Sequence, residues 1–223
     1  MSLHKPQLGF SLIELMITII LSSLLLLGVL QLYINTSATD RTSNELARVQ
    51  ESGRVALELI AREARRAGYQ GCVGAGTTTE AGGITYPDGA LVGALVGTAD
   101  SITFHYARPN PAGTFPNRTC FDSDGDGALD PMEPYQVTFS DCGDNLCISA
   151  PDIGLNQQLV ANANFANIGY IEACGANTCL RDAATADMAN VRKLQITLAV
   201  NDSRGEFAVP RTFTSVIELR NRL

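Results

Sequence analysis

An acidic stretch near the middle of the chain, residues 122–133 (DSDGDGALDPME), has the residue types and spacing of a cation site. It matches the calcium-loop pattern D-x-D-x-D-G-x5-E, whose carboxylate and carbonyl oxygens together surround Ca²⁺. The predicted ligands are Asp122, Asp124, Asp126, the Ala128 carbonyl, Asp130 through a water, and Glu133. Because no flanking helix pair is evident, we expect a weak, structural Ca²⁺ site. The alternative is an acidic turn that binds no metal.

The six cysteines form the second group with possible chemistry, and all of them follow residue 70. Cys142–Cys147 and Cys174–Cys179 share one spacing and each brackets a Gly/Asn turn, so each pair could form a disulfide across its own loop. Cys72 would then pair with Cys120. An even number of cysteines on one side of a membrane segment favours an oxidising compartment. A zinc site built from the two C-x4-C pairs is the alternative, and the spacing alone leaves 15 disulfide connectivities open.

Signatures of catalysis are absent from the sequence. There is no G-x-S-x-G turn, Walker loop, dinucleotide fingerprint or H-E-x-x-H motif. His105 lies in a predicted strand, where we expect it to be half-exposed. The formal net charge is −7 and no basic stripe is present, which argues against nucleic acid as a partner. We therefore predict that the protein is not an enzyme.

Glu14 is the one charged residue in an apolar stretch, residues 10–34 (FSLIELMITIILSSLLLLGVLQLYI). About 25 apolar residues can span a bilayer as a helix and exceed the core of a cleavable secretory signal. A charged side chain at the centre of such a helix costs about 2.5–3.5 kcal/mol, so Glu14 is expected to have a partner or a function. The alternative is a shallow position within reach of the headgroups. Lys5, in the short segment before this stretch, favours a cytoplasmic N-terminus.

The helix is expected to continue beyond the apolar stretch as an amphipathic segment, residues 35–68. Apolar and small residues recur there at spacings of three and four. They are Leu46, Val49, Gly53, Ala56, Ile60, Ala64 and Ala67. Glu58 and Arg62 could pair on the opposite face, and Gly68 supplies a helix stop.

The residues around Gly9 and Phe10 (GFSLIELM) resemble the signal motif of type IV prepilins and type II secretion pseudopilins. Residues 28–72 and 194–222 are similar to the PilW family of minor pilins, through positions such as Arg62, Arg66 and Cys72. The resemblance implies cleavage after Gly9 by the prepilin peptidase, N-methylation of Phe10, and assembly through Glu14. It also implies other pilins, an inner-membrane assembly platform and a tip adhesin as partners.

The expected domain organisation is a leader (1–9), a filament-core helix (10–34), its amphipathic continuation (35–68) and a soluble domain (69–223). Strand patterns cover residues 101–107, 135–140, 191–201 and 211–219, and residues 73–97 are expected to be a loop. The predicted fold class is α+β and pilin-like, with a long helix packed against an antiparallel sheet and disulfide-linked loops. A type II secretion pseudopilin and a membrane-tethered binding module are the alternative functions.

Overall fold

The computed structural model describes residues 11–69, 83–85, 91–109, 132–175, 177–202 and 209–220. The chain divides into two compact units, Met1–Ala47 and Arg48–Leu223. A single helix, α1, covers Leu12–Arg66. The strands are β1 (Gly83–Thr85), β2 (Leu91–Gly93), β3 (Leu95–Gly97), β4 (Ser101–Pro109), β5 (Met132–Cys142), β6 (Asn145–Ala150), β7 (Leu155–Val160), β8 (Ala163–Cys174), β9 (Asn177–Arg181), β10 (Val191–Val200) and β11 (Arg211–Glu218).

In the first unit, the helix is apolar on all sides and its side chains are exposed from residue 11 to residue 36. Leu12 is 75% exposed and Ile34 is 60% exposed, values typical of a helix with no protein around it. By length and composition α1 could cross a membrane. A surface this apolar requires a lipid or protein environment.

In the second unit, the end of α1 packs against the sheets through small side chains. Val49, Ala56, Ile60 and Ala64 are buried on one face, as the spacing in the sequence predicted. Alanines at these positions allow the helix backbone to approach the strands closely. The helix ends at Arg66, and Gly68 adopts a left-handed φ of 78°, which a glycine accepts without strain.

The strands pair antiparallel throughout the described residues, in sheets of two, four and five strands. The strand orders are β1-β2, β11-β10-β8-β9 and β3-β4-β5-β6-β7. Side chains of β10 alternate between buried and half-exposed positions, and Leu194, Ile196 and Leu198 enter the core. Polar contacts also connect β8 with β5, and in one of them the backbone N–H of Phe165 donates to the Asp141 carboxylate at 2.9 Å.

One hydrophobic core contains side chains from α1 and from both larger sheets. The largest fully buried residues include Tyr170, Phe104 and Phe139. The Phe104 and Phe139 rings meet edge to face, with centroids 6.2 Å apart. The architecture is therefore α+β and pilin-like, as the sequence predicted.

The predicted strands are confirmed, with ends that differ by one to three residues, but other predictions need correction. Residues 73–97 were predicted to be a loop, yet they contain β1, β2 and β3. The patterns also missed β6, β7, β8 and β9. His105 was expected to be half-exposed but is buried in β4, with 4% of its surface exposed.

The predicted pairing of Glu58 with Arg62 is wrong. The Glu58 carboxylate lies 4.0 Å from Arg54 Nη1, while the Arg62 Nε lies 3.1 Å from the carboxylate of Glu63. Arg62 instead donates to its immediate neighbour Glu63, whose carboxylate also accepts a hydrogen bond from the Tyr106 hydroxyl.

Candidate functional site

Glu14 lies in the first turn of α1. The backbone N–H groups of Glu14 and Leu15 donate to the carbonyl of Ser11 at 3.0 and 3.1 Å, which closes this turn. The first turn is the positive end of the helix dipole, so it tolerates a carboxylate better than the helix centre does. The position of Glu14 thus lowers, but does not abolish, the free-energy cost of a carboxylate in an apolar environment.

Other polar side chains in the apolar stretch are satisfied by the helix itself. The Thr18 hydroxyl donates to the carbonyl of Leu15 at 2.8 Å, and the Ser23 hydroxyl donates to that of Ile20 at 2.8 Å. Within the described residues, no hydrogen bond or ion pair satisfies the Glu14 carboxylate. Glu14 is therefore available to a group from outside this part of the chain.

Several predicted site residues lie outside the described residues. They are Gly9, Phe10, Cys72, Cys120, Asp122, Asp124, Asp126, Ala128 and Asp130. Glu133 belongs to β5, but only its backbone is described. In the described ranges, no cluster of three or more His, Cys, Asp or Glu side chains could hold a metal ion. The calcium loop thus remains a prediction.

Two disulfides join the cysteine pairs that share the C-x4-C spacing. Cys142 and Cys147 have Cα atoms 5.9 Å apart and link β5 to β6. Cys174 and Cys179 have Cα atoms 5.8 Å apart and link β8 to β9. Both distances fall in the range that a disulfide requires. The two pairs lie in separate hairpins. The structure therefore supports two disulfides and not the alternative zinc site.

A second acidic residue, Glu63, was not singled out by the sequence analysis. Its side chain is only 6% exposed, although it lies near the end of an amphipathic helix. The Tyr106 hydroxyl donates to its Oε2 at 2.7 Å, the Arg62 Nε donates to its Oε1 at 3.1 Å, and an Arg66 Nη1 lies 3.6 Å from Oε2. Burial raises the pKa of Tyr106, and the neighbouring Glu63 raises it further. One signal could have identified this residue, because Glu63 follows Ile60 by three positions and so falls on the buried face.

Comparison with known proteins gives one match, at the N-terminus. Residues 4–30 match the family described as the prokaryotic N-terminal methylation motif. No curated protein sequence and no solved structure is significantly similar to the chain. The motif indicates a type IV pilin-like or pseudopilin-like protein. It implies association with a membrane and a pilus or pseudopilus assembly context.

Proposed function

We propose that the protein is a minor subunit of a type IV pilus and acts in assembly initiation or at the filament tip. The observation that carries this proposal is the Glu14 carboxylate, which lies without a described partner on an exposed, apolar helix. A simple membrane anchor gains nothing from such a charge. A subunit of a helical bundle gains a specific contact.

In the proposed mechanism, a peptidase cleaves the chain between Gly9 and Phe10, and the new amine of Phe10 is methylated. Glu14 of one subunit then neutralises the Phe10 amine of a neighbouring subunit inside the bundle. The two opposite charges pair with each other, so neither is left unpaired in an apolar environment. The methylation motif at residues 4–30 supports this processing.

The proposed location changes with assembly. Before assembly the helix anchors the subunit in the bacterial inner membrane with its N-terminus in the cytoplasm, and after assembly the subunit belongs to a surface filament. Its partners would be other major and minor pilins, the prepilin peptidase, the assembly platform and a tip adhesin. The resemblance of residues 28–72 to PilW favours a minor pilin over a pseudopilin, although both share the signal motif.

The test is Glu14→Ala in the native host, with Thr18→Ala as the matched control because the Thr18 hydroxyl is satisfied by its own helix. We expect Glu14→Ala to reduce surface filaments and twitching motility by at least tenfold at a normal membrane level of the protein, whereas Thr18→Ala keeps both. Unchanged filaments and secretion in Glu14→Ala would instead support a membrane-tethered binding module.

Two further observations separate the remaining alternatives. A loss of protein secretion with intact filaments would identify a type II secretion pseudopilin. The mass of the protein isolated from membranes should correspond to a chain that begins at a methylated Phe10. A mass that still includes residues 1–9 would contradict the proposed processing.

A further inference from the structure

Ser11 occupies the N-cap position of α1, directly before the first helical residue, Leu12. Its carbonyl accepts the first bond of the helix, from the Leu15 N–H at 3.1 Å, and also accepts from the Glu14 N–H at 3.0 Å. The N-cap is the residue whose carbonyl accepts the first intrahelical bond, and serine is among the residues preferred there. The helix therefore starts from Ser11.

The residue types at this helix start match a capping box. In this motif, S/T-x-x-E/Q, the N-cap hydroxyl accepts from the N–H of the third helical residue, whose side chain accepts in return from the N-cap N–H. Residues 11–14 (SLIE) have this pattern, with Ser11 at the N-cap and Glu14 at the third helical position. The carboxylate on which the proposed function depends is thus also within reach of its own chain.

The side-chain bonds of this capping box are not made in the structure. Within the described residues, the Ser11 N–H donates to no acceptor, and the Ser11 hydroxyl and the Glu14 carboxylate have no partner. Side chains from residue 11 to residue 36 are exposed, and most are apolar, so this helix start requires a lipid or protein environment. Unpaired N–H groups carry a large free-energy cost in lipid, which favours closure of the box there.

We propose that Ser11 positions Glu14 for assembly through this capping box. In the processed subunit, the Glu14 carboxylate accepts from the Ser11 N–H until a neighbouring subunit offers its Phe10 amine, to which the carboxylate then transfers. The second step rests on the proposed function, whereas the first depends only on the helix start. The Ser11 N–H satisfies the carboxylate without neutralising its charge, so the amine is the stronger partner.

Closure of the box would direct Glu14 toward the N-terminal end of α1. Side chains of helical residues already lean toward the helix N-terminus, and the backbone bonds of the cap are made, so side-chain rotations are sufficient. The residue directly before Ser11 is Phe10, whose amine the proposed function uses. Without the box, the carboxylate adopts more rotamers, and fewer of them face a neighbour's terminus. Ser11 is thus a positioning residue, and Glu14 makes the contact.

The first test measures hydrogen exchange of the Ser11 N–H in the processed chain in detergent micelles, by NMR with ¹⁵N-serine and ¹⁵N-leucine labels. The Leu12 N–H is the internal reference, because fraying of the helix accelerates both groups whereas loss of the box accelerates only Ser11. Glu14→Ala should accelerate exchange at Ser11 about tenfold relative to Leu12. Glu14→Gln, which keeps a side-chain acceptor, should preserve the slow exchange.

Thr18→Ala is the matched control for this exchange test, because the Thr18 hydroxyl bonds to the Leu15 carbonyl and has no part in the box. It should leave exchange at Ser11 unchanged. Equal exchange at Ser11 in the unmodified chain and in Glu14→Ala would overturn the closed box. Equal acceleration in Glu14→Gln and Glu14→Ala would overturn it as well, since a carboxamide also accepts in this motif.

A second test, in cells, addresses the positioning role. Ser11→Thr keeps a cap hydroxyl and should keep surface filaments, whereas Ser11→Ala should reduce them about tenfold. The mass of each variant from membranes shows whether it begins at a methylated Phe10. A processed Ser11→Ala subunit with normal filaments would contradict the positioning role. A Ser11→Ala subunit that retains residues 1–9 would contradict it too, because Ser11 would then act in recognition by the peptidase.

This proposal and the proposed function fail separately. If Glu14→Ala leaves exchange at Ser11 unchanged but still loses filaments, the capping box is excluded and the proposed function stands. If Glu14→Ala accelerates exchange at Ser11 but forms normal filaments, the box stands as a feature of the helix start. The transfer to a neighbour and the proposed function are then both excluded.

Discussion

At the scale of single residues, two carboxylates lie in unusual surroundings, and they differ in the contacts that they make. Glu63 is buried but fully engaged by Tyr106, Arg62 and Arg66. Glu14 is exposed on an apolar helix, and the described residues offer it no partner. A buried charge is tolerated when its hydrogen bonds are made, so Glu63 serves the fold. For Glu14 we propose a partner outside the described residues.

The contact between Tyr106 and Glu63 gives the first prediction on stability. Tyr106→Phe removes a hydrogen-bond donor that lies 2.7 Å from a carboxylate nearly inaccessible to water. We therefore expect the free energy of unfolding to fall by about 1–3 kcal/mol. Urea denaturation of the full chain in detergent measures the difference. Tyr135→Phe is the control, because its ring lies 5.2 Å from that of Tyr106 and no described residue bonds its hydroxyl. Equal losses in both variants would contradict the proposed contribution of the hydrogen bond between Tyr106 and Glu63.

The sequence revealed Glu14 but not Glu63, and the reason is physical. A charged residue inside an apolar stretch differs from all of its neighbours, so the sequence alone reveals it. Glu63 lies in a helix rich in charges, where Arg62, Arg65 and Arg66 surround it. Its spacing from Ile60 places Glu63 on the buried face, but its partner, the hydroxyl of Tyr106, lies 43 residues away in the chain and is visible only in the structure.

At the scale of elements, the contact between α1 and β11 depends on a glycine. Gly53 is buried, and a Cβ at this position would come within 2.5–2.8 Å of three atoms of the Phe213 ring. The helix and the strand can therefore approach only while position 53 has no side chain. Gly28, in the apolar part of the same helix, would meet nothing within 4 Å.

These two glycines form a matched pair for the second prediction. Gly53→Leu should lower the free energy of unfolding of the full chain by about 1–3 kcal/mol, because the overpacked helix must shift away from the sheet. Gly28→Leu gains the same helix propensity without a collision and should not lower it. Chemical denaturation in detergent, monitored by tyrosine fluorescence, makes the comparison. A Gly53→Leu protein as stable as Gly28→Leu would contradict this account of the packing.

The elements that the sequence predicted are those with strong periodicity. Strand β10 alternates apolar and polar residues over most of its length, and the helix continues its three- and four-residue spacing of buried residues to Ala64. Strand β8 was missed because Asn164, Asn167 and Gly169 interrupt its pattern with residues typical of turns. Strand β9 was missed for a different reason: most of its five residues are exposed, so it carries no alternation.

At the scale of the whole molecule, calcium gives the third prediction. If residues 122–133 bind Ca²⁺ with a dissociation constant of about 1 mM, as extracellular modules do, 10 mM Ca²⁺ should stabilise the full chain by about 1.4 kcal/mol. Thermal melting in Ca²⁺ and in chelator measures this difference. Asp126→Ala should abolish it, whereas Asp144→Ala, at an exposed turn between β5 and β6, should preserve it. Identical melting in Ca²⁺ and chelator would exclude the site.

The Cys174–Cys179 disulfide has a consequence for the solubility of the molecule. It ties β9, a five-residue outer strand, to β8. A strand this short makes few ladder hydrogen bonds, so the covalent tie holds it in place when those bonds break. Loss of β9 would uncover one side of β8, and an uncovered strand edge is a template for aggregation with other chains. Reducing agents should therefore make the full chain in detergent aggregate before its core unfolds.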